Sequence, residues 1–189
     1  MLLGMPIPSG QAERDRYAAV MQSTYQTSER GTGLIRLFET FAPRMYYCPA
    51  NKPTIGFGHV IRANEQHLRN ATLTLDQAVK QLQADLSTVE IYLNSVLPDW
   101  IRQHHFDALA SLVFNVGVGN FDRSTLLKLI KANDRPGAEA EFGKWIFSKG
   151  VRLRGLVIRR ACERLMFAGC TDNAIANERA RLQAMKGPL

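Results

Sequence analysis

Cysteine is scarce in this 189-residue chain: Cys48, Cys162 and Cys170 are its three thiols. That number and scatter exclude a disulfide framework and a four-ligand zinc site, and they fit synthesis in a reducing compartment. Cys162 and Cys170, eight residues apart, read as buried thiols rather than a bridge. Long apolar runs are missing too. Charges interrupt every hydrophobic segment, so nothing approaches the roughly 20 apolar residues of a membrane-spanning helix. The opening stretch MLLGMPIPSG lacks the basic leader and the longer apolar core of a secretory signal, so a soluble protein without its own export signal is expected. Gly117 and Gly119 form a turn without the full dinucleotide fingerprint, which excludes a nucleotide loop. Repeats, low-complexity tracts and linkers long enough to divide the chain are absent as well.

What is present suits one globular unit, possible to fold without help at 46% hydrophobic content. The formal charge is +7 and the pI about 9.6, which favours a polyanionic partner: nucleic acid, an anionic membrane or a cell-wall polymer. Nucleic acid draws support from the charge alone, since neither an aromatic-basic strand motif nor a zinc pattern accompanies it. The basic run Arg152, Arg154, Arg159 and Arg160 reads as a solvated face that could attract an anionic wall or lipid headgroups.

Helical spacing of Tyr17, Val20, Met21 and Tyr25 predicts an N-terminal helix over 11–25, after which Thr27, Ser28, Gly31 and Gly33 break the pattern. A short helix is expected from Gly33 to Phe41, with Glu39 in its last turn before Pro43. Met45–Ile61, with two prolines and two glycines among aromatic and β-branched residues, predicts a twisted hairpin, the only sheet. The clearest helix follows: Thr74 and Gln77 form a capping box, and apolar residues recur at threes and fours from Leu75 to Leu97, leaving a charged face with Lys80, Asp85 and Glu90. Such a helix can bridge two lobes. Further helices are expected around Phe106–Val116, Ser124–Ala132, Ala138–Phe147 and Leu156–Ala168, with a last, weakly amphipathic one over Thr171–Lys186. The domain reading is an N-terminal extension over 1–30, a single domain over 31–170 and a helical tail over 171–189.

Glycosidic cleavage needs an acid for the leaving oxygen and usually a second group that activates water or attacks. Glu39, beside Phe38 and Phe41, is a candidate acid whose partial desolvation would favour the protonated form. Alone it is an ordinary glutamate at a helix end. Cys48 alone is a small buried hydrophobe, Thr54 a strand residue and His59 a structural histidine.

Their register changes that reading. Glu39, eight residues, Cys48, five residues, Thr54, then Ile55-Gly56-Phe57-Gly58-His59, resembles the active-site hairpin of phage-type lysozymes, glycoside hydrolase family twenty-four, which is written with Asp or Cys at the middle position. The resemblance continues through Phe114-Asn115-Val116-Gly117-Val118-Gly119, Ser124-Thr125-Leu126-Leu127, Trp145, Gly155-Leu156, Arg159-Arg160 and Phe167. It implies an α+β, lysozyme-like fold: a small lobe with a hairpin and a larger helical lobe flanking a cleft.

The resemblance also implies an endolysin that hydrolyses the β-1,4 bond between N-acetylmuramic acid and N-acetylglucosamine of peptidoglycan and lyses the host. Glu39 would be the general acid, and Thr54 would help hold the attacking water. His59 with Arg159 or Arg160 would support Glu39, and Gly58 and Asn115 would line the saccharide groove. Phe114 belongs to the core. Between Thr40 and Asn64 the chain contains no Asp or Glu, so a second carboxylate cannot come from that stretch. Cys48, ordinarily neutral at pH 7, would orient water, act as a base or attack covalently, and the family's inverting outcome favours the water roles. Neither metal nor cofactor is required. The expected setting is a monomer made in the host cytoplasm that reaches the periplasmic wall through a separate pore-forming protein. Competing readings are an inactive wall-binding module and a cationic membrane-disrupting protein acting through its tail.

Overall fold

The structure is a computed structural model that describes residues 25–48 and 51–187. The expected helix over 11–25 therefore lies, apart from Tyr25, outside the described residues.

The first helix, α1 (Glu29–Arg36), starts earlier than expected because Ser28 is its cap: the Ser28 hydroxyl accepts from the Gly31 N–H at 3.2 Å. Gly31 and Gly33 lie inside the helix rather than breaking it. Gly31 is there for space, since a Cβ would stand 2.7 Å from Asp107 Oδ1. That aspartate also accepts from the Ser28 hydroxyl and N–H. Because α1 begins early it ends early. Glu39 stands in the turn just beyond it, its N–H still donating to the Ile35 carbonyl at 3.1 Å.

Strands β1 (Ala42–Tyr47), β2 (Pro53–Gly56) and β3 (His59–Val60) form an antiparallel sheet in that order. The expected hairpin thus starts three residues early and gains a third strand. Gly58 supplies the positive φ of +87° at the β2–β3 turn. Tyr46 pairs with Thr54, and Ile55 with His59.

Helix α2 (Leu75–Val96) carries the predicted capping box: Gln77 N–H donates to the Thr74 hydroxyl and Thr74 N–H to the Gln77 side chain. At 1.5 Å per residue it is about 33 Å long. Its buried Ala78, Leu82 and Leu86 join Ile35 and Phe57 in a small core beneath the sheet, whereas Val89 and Leu93 enter the large helical core. One helix therefore connects two lobes. Its charged face needs correction: Asp85 and Glu90 are half-buried and bonded, Asp85 to His59 and Glu90 to the Thr27 N–H.

In the large lobe, α3 (Gln103–Val116) is the central helix, buried continuously from His105 to Val113. Around it run α4 (Val118–Asp122), α5 (Thr125–Lys131), α6 (Arg135–Glu141), α7 (Arg154–Phe167) and α8 (Asp172–Ala184). Helix α6 stops short of the expected Phe147. A 3-10 turn, Phe142–Lys144, leads into a second sheet, β4 (Phe147–Ser148) paired with β5 (Val151–Arg152). Lys149 and Gly150 both adopt positive φ, as a two-residue type I′ loop requires. The first sheet is thus not the only one. The tail helix packs on α7 rather than projecting, and the Arg154 guanidinium donates to the Leu182 and Met185 carbonyls at its end. Cys162 is buried and Cys170 half-buried, both as unbridged thiols.

Candidate active site

Glu39 closes a cleft of about 490 Å³ between the lobes, shared with Gly58, His59, Asp85, Phe114 and Asn115. Its side chain is 23% exposed. One oxygen, Oε1, accepts from Arg159 Nη1 at 2.7 Å. The other turns toward Gly58, where a Cβ would lie 3.8 Å from Oε2. Glycine there leaves the carboxyl open to whatever fills the cleft.

Arg159 is held from behind by groups that the sequence reading did not single out. Its Nε donates to Glu163 Oε1 at 3.0 Å, its Nη2 to the Ser111 carbonyl at 3.2 Å, and the Ser111 hydroxyl donates to the same Glu163 oxygen at 2.7 Å. Glu163 is wholly buried and also lies 3.2 Å from Arg160 Nε. Two guanidinium and two carboxylate groups balance formally, which is what lets charge sit so deep. Burial, opposed by Glu163 and reinforced by Arg159, lowers Arg160 to about 10, so it stays a cation at neutral pH. Both arginines therefore belong to the cluster in different ways: Arg159 reaches Glu39, and Arg160 Nη2 donates to Asn115 Oδ1 at 2.8 Å on the cleft wall.

The basic run is consequently not a solvated face. Arg159 and Arg160 are buried and Arg154 clamps the tail, leaving Arg152 exposed.

His59 lies in the cleft wall but its ring serves another group. Nδ1 is 2.9 Å from both oxygens of Asp85, and Nε2 is 3.0 Å from Glu65 Oε2. Its bonds tie β3 to α2 instead of supporting Glu39. The Arg62 backbone N–H holds the Glu65 carboxyl below its ordinary range, with His59 assisting against burial. Asp85, far from Glu39 in sequence, thus supplies a second carboxylate to the same cleft, one that is already paired.

Cys48 and Thr54 both belong to the β1–β2 hairpin. Thr54 stands opposite Tyr46 in the sheet, and Cys48 follows Tyr46 by two residues, one past the end of β1. Cys48 closes the hairpin, its N–H donating to the Lys52 carbonyl at 3.0 Å. Burial, with smaller contributions from Cys48 and Glu39, raises the Tyr46 phenol above its ordinary range. Tyr46 was legible in principle from its spacing to Cys48. Thr54 is buried and donates its hydroxyl proton to the Lys52 carbonyl at 3.0 Å, leaving the oxygen's lone pairs as acceptors. Phe114, expected in the core, packs against the small core and also lines the cleft. Among the described residues no cluster of three or more His, Cys, Asp and Glu side chains has the arrangement of a metal site.

Residues 36–163 match the family described as Phage lysozyme. The chain belongs to the phage lysozyme family. An endolysin from Acyrthosiphon pisum secondary endosymbiont phage 1 is 37% identical over 144 residues, covering 74% of this chain and 96% of that one. Among solved structures, P22 lysozyme (mutant L86M) superposes with a TM-score of 0.70 at 28% identity, covering 76% of this chain and 99% of that one. An endolysin from Escherichia coli O157:H7 phage FAHEc1 gives 0.68 at 30% identity, with 76% and 93% covered. The α+β phage lysozyme architecture is the one described above. Family membership makes this protein a glycoside hydrolase whose polymer is bacterial peptidoglycan and whose activity is that of a muramidase, an endolysin in peptidoglycan lysis.

Proposed function

We propose that Glu39 donates the proton to the glycosidic oxygen between N-acetylmuramic acid and N-acetylglucosamine. The observation that carries this reading is the division of labour on its carboxyl: Oε1 bound to Arg159, Oε2 facing the open cleft across Gly58. Arg159, itself anchored on Glu163, is placed to steady the carboxylate left after proton transfer.

In this reading Thr54 accepts a hydrogen bond from the attacking water, because its own proton is given to Lys52. Cys48 orients that water. Asn115, fixed by Arg160, contacts the sugar. Asp85 and His59 brace the small lobe. Mass analysis of muropeptides released from purified sacculi tests the bond: reducing ends at muramic acid support the reading, and reducing ends at glucosamine overturn it.

For the setting, a monomer made in the cytoplasm and passed to the wall by a separate pore-forming protein fits a chain in which no described helix is long and apolar enough to cross a membrane. The membrane-disrupting alternative is disfavoured by the tail: Arg181 pairs with Glu178 and Arg179 lies over the Phe38 ring.

A further inference from the structure

The turn that carries Glu39 beyond α1 shares one backbone acceptor: the Phe38 and Glu39 N–H groups both donate to the Ile35 carbonyl, at 3.0 and 3.1 Å. Further anchorage comes from the Phe38 ring, which is half-buried against the large core. Two guanidinium groups lie over that ring. Arg159, the partner of Glu39, has its Cζ 5.6 Å from the ring centroid, and Arg179 has its Cζ 6.0 Å away. Arg179 stands on the tail helix α8, which begins after the stretch 36–163 shared with the family has ended. It makes no ion pair among the described residues, the neighbouring Glu178 being taken by Arg181 at 2.7 Å. Its Nε is buried without a hydrogen-bond partner among the described residues. A cation in that position is compensated by the negative face of the aromatic ring.

We propose that Arg179 is a positioning residue for Glu39. Its guanidinium, held on α8, fixes the ring over which the Arg159 guanidinium lies, and that ring belongs to the residue joined by one peptide bond to Glu39. Both ends of the 2.7 Å Arg159–Glu39 bond thereby rest on Phe38. The tail helix acts on the reaction without touching substrate, since Arg179 lines a groove with Gly33, Leu37 and Ile175 and no part of the cleft. Its loss is therefore expected to reduce turnover and leave substrate binding nearly unchanged: the proton donor is misplaced while Gly58 and Asn115 keep their places on the cleft wall. This inference rests on Glu39 being the acid, and its test separates the two.

The test is a double-mutant cycle on purified peptidoglycan with Arg179→Gln, Phe38→Leu and the pair. Arg179→Gln is expected to lower kcat about fivefold, the size of one partly desolvated cation–ring contact, with KM close to the parent's. Arg179→Lys, which keeps the cation, should retain most of the parent's kcat. In the Phe38→Leu background, Arg179→Gln should cost nothing further. Urea unfolding of each variant gives the folded fraction to which the rates are normalised. A second readout is independent of activity: the NMR signal of the Arg159 Nε–H, which donates to Glu163, should shift in Arg179→Gln and stay near its parental position in Arg179→Lys. Parental kcat in Arg179→Gln, losses that multiply across the cycle, or an unmoved Arg159 signal would overturn the proposal. Glu39→Gln measured alongside distinguishes the failures: parental turnover there removes the acid reading, whereas parental turnover confined to Arg179→Gln removes this inference alone.

Discussion

Arg159 Nη1 donates to Glu39 Oε1 at 2.7 Å across 120 residues of chain, joining the end of α1 to the middle of α7. That bond holds Oε1 and leaves Oε2 on the Gly58 side of the cleft.

Replacing Arg159 should therefore harm turnover more than binding. Arg159→Lys keeps the charge but loses the fork that reaches Glu39, Glu163 and Ser111 together. A kcat loss of about ten- to a hundredfold, with KM moved far less, is the expected outcome for a lost charge-positioning contact. Steady-state turbidity assays on purified peptidoglycan measure it. A rise in KM with kcat intact would show that Arg159 serves binding alone.

The buried carboxylate of Glu163 is the structural counterpart. Glu163→Gln removes the charge that balances Arg159 and Arg160. Breaking a buried ion pair from one side costs about 3–5 kcal/mol, because the remaining charges stay buried and uncompensated. Urea unfolding of the variant should show a clearly lower midpoint with an unchanged slope. A parental midpoint would mean that water already screens this cluster.

His105 sets part of the acid limit of stability. Burial, with smaller contributions from His104, Arg135 and Arg102, pushes its imidazole down to about 4 from an ordinary 6.5. The neutral ring is also required by geometry, since the Arg102 backbone N–H donates to its Nδ1 at 3.0 Å. The unfolded chain takes up this proton near 6.5 and the folded protein not until about 4. The contribution is thus complete above pH 6.5 and drains away as pH falls toward 4. His105→Gln keeps an acceptor for Arg102 without a titrating ring. Its melting temperature should fall less steeply than the parent's between pH 6.5 and 4.5, and identical slopes would refute the assignment.

Much of the fold around the candidate site is legible in the sequence. Pro49, Pro53, Gly56 and Gly58 among aromatic and β-branched residues point to the hairpin, and the Thr74 capping box with its apolar stripe points to the connecting helix. Both survive because they rest on local chemistry: caps, turns and periodicity. What escaped the sequence was long-range pairing. His59 looked like support for Glu39, yet Asp85 and Glu65 take its two nitrogens, a partnership set by how β3 lies on α2. Arg152 to Arg160 looked like one basic face, yet helical geometry sends Arg159 and Arg160 inward and Arg154 to the tail. Glu163, four residues after Arg159, was a readable partner on that helix. Ser111 had no such signal, lying on the uniformly buried α3. The β4–β5 ribbon has little signal, because its strands are two residues each and only Lys149-Gly150 marks the type I′ loop between them.

Glu39→Gln provides the sharpest test of the account. The amide preserves size and can still accept from Arg159, but it has no proton of suitable acidity to give. On purified peptidoglycan, with folding verified by an unchanged circular dichroism spectrum, kcat/KM should fall by about a thousandfold or more, as loss of general acid catalysis demands. A folded Glu39→Gln protein that clears the wall at the parent's rate would contradict the assignment of Glu39 as the proton donor.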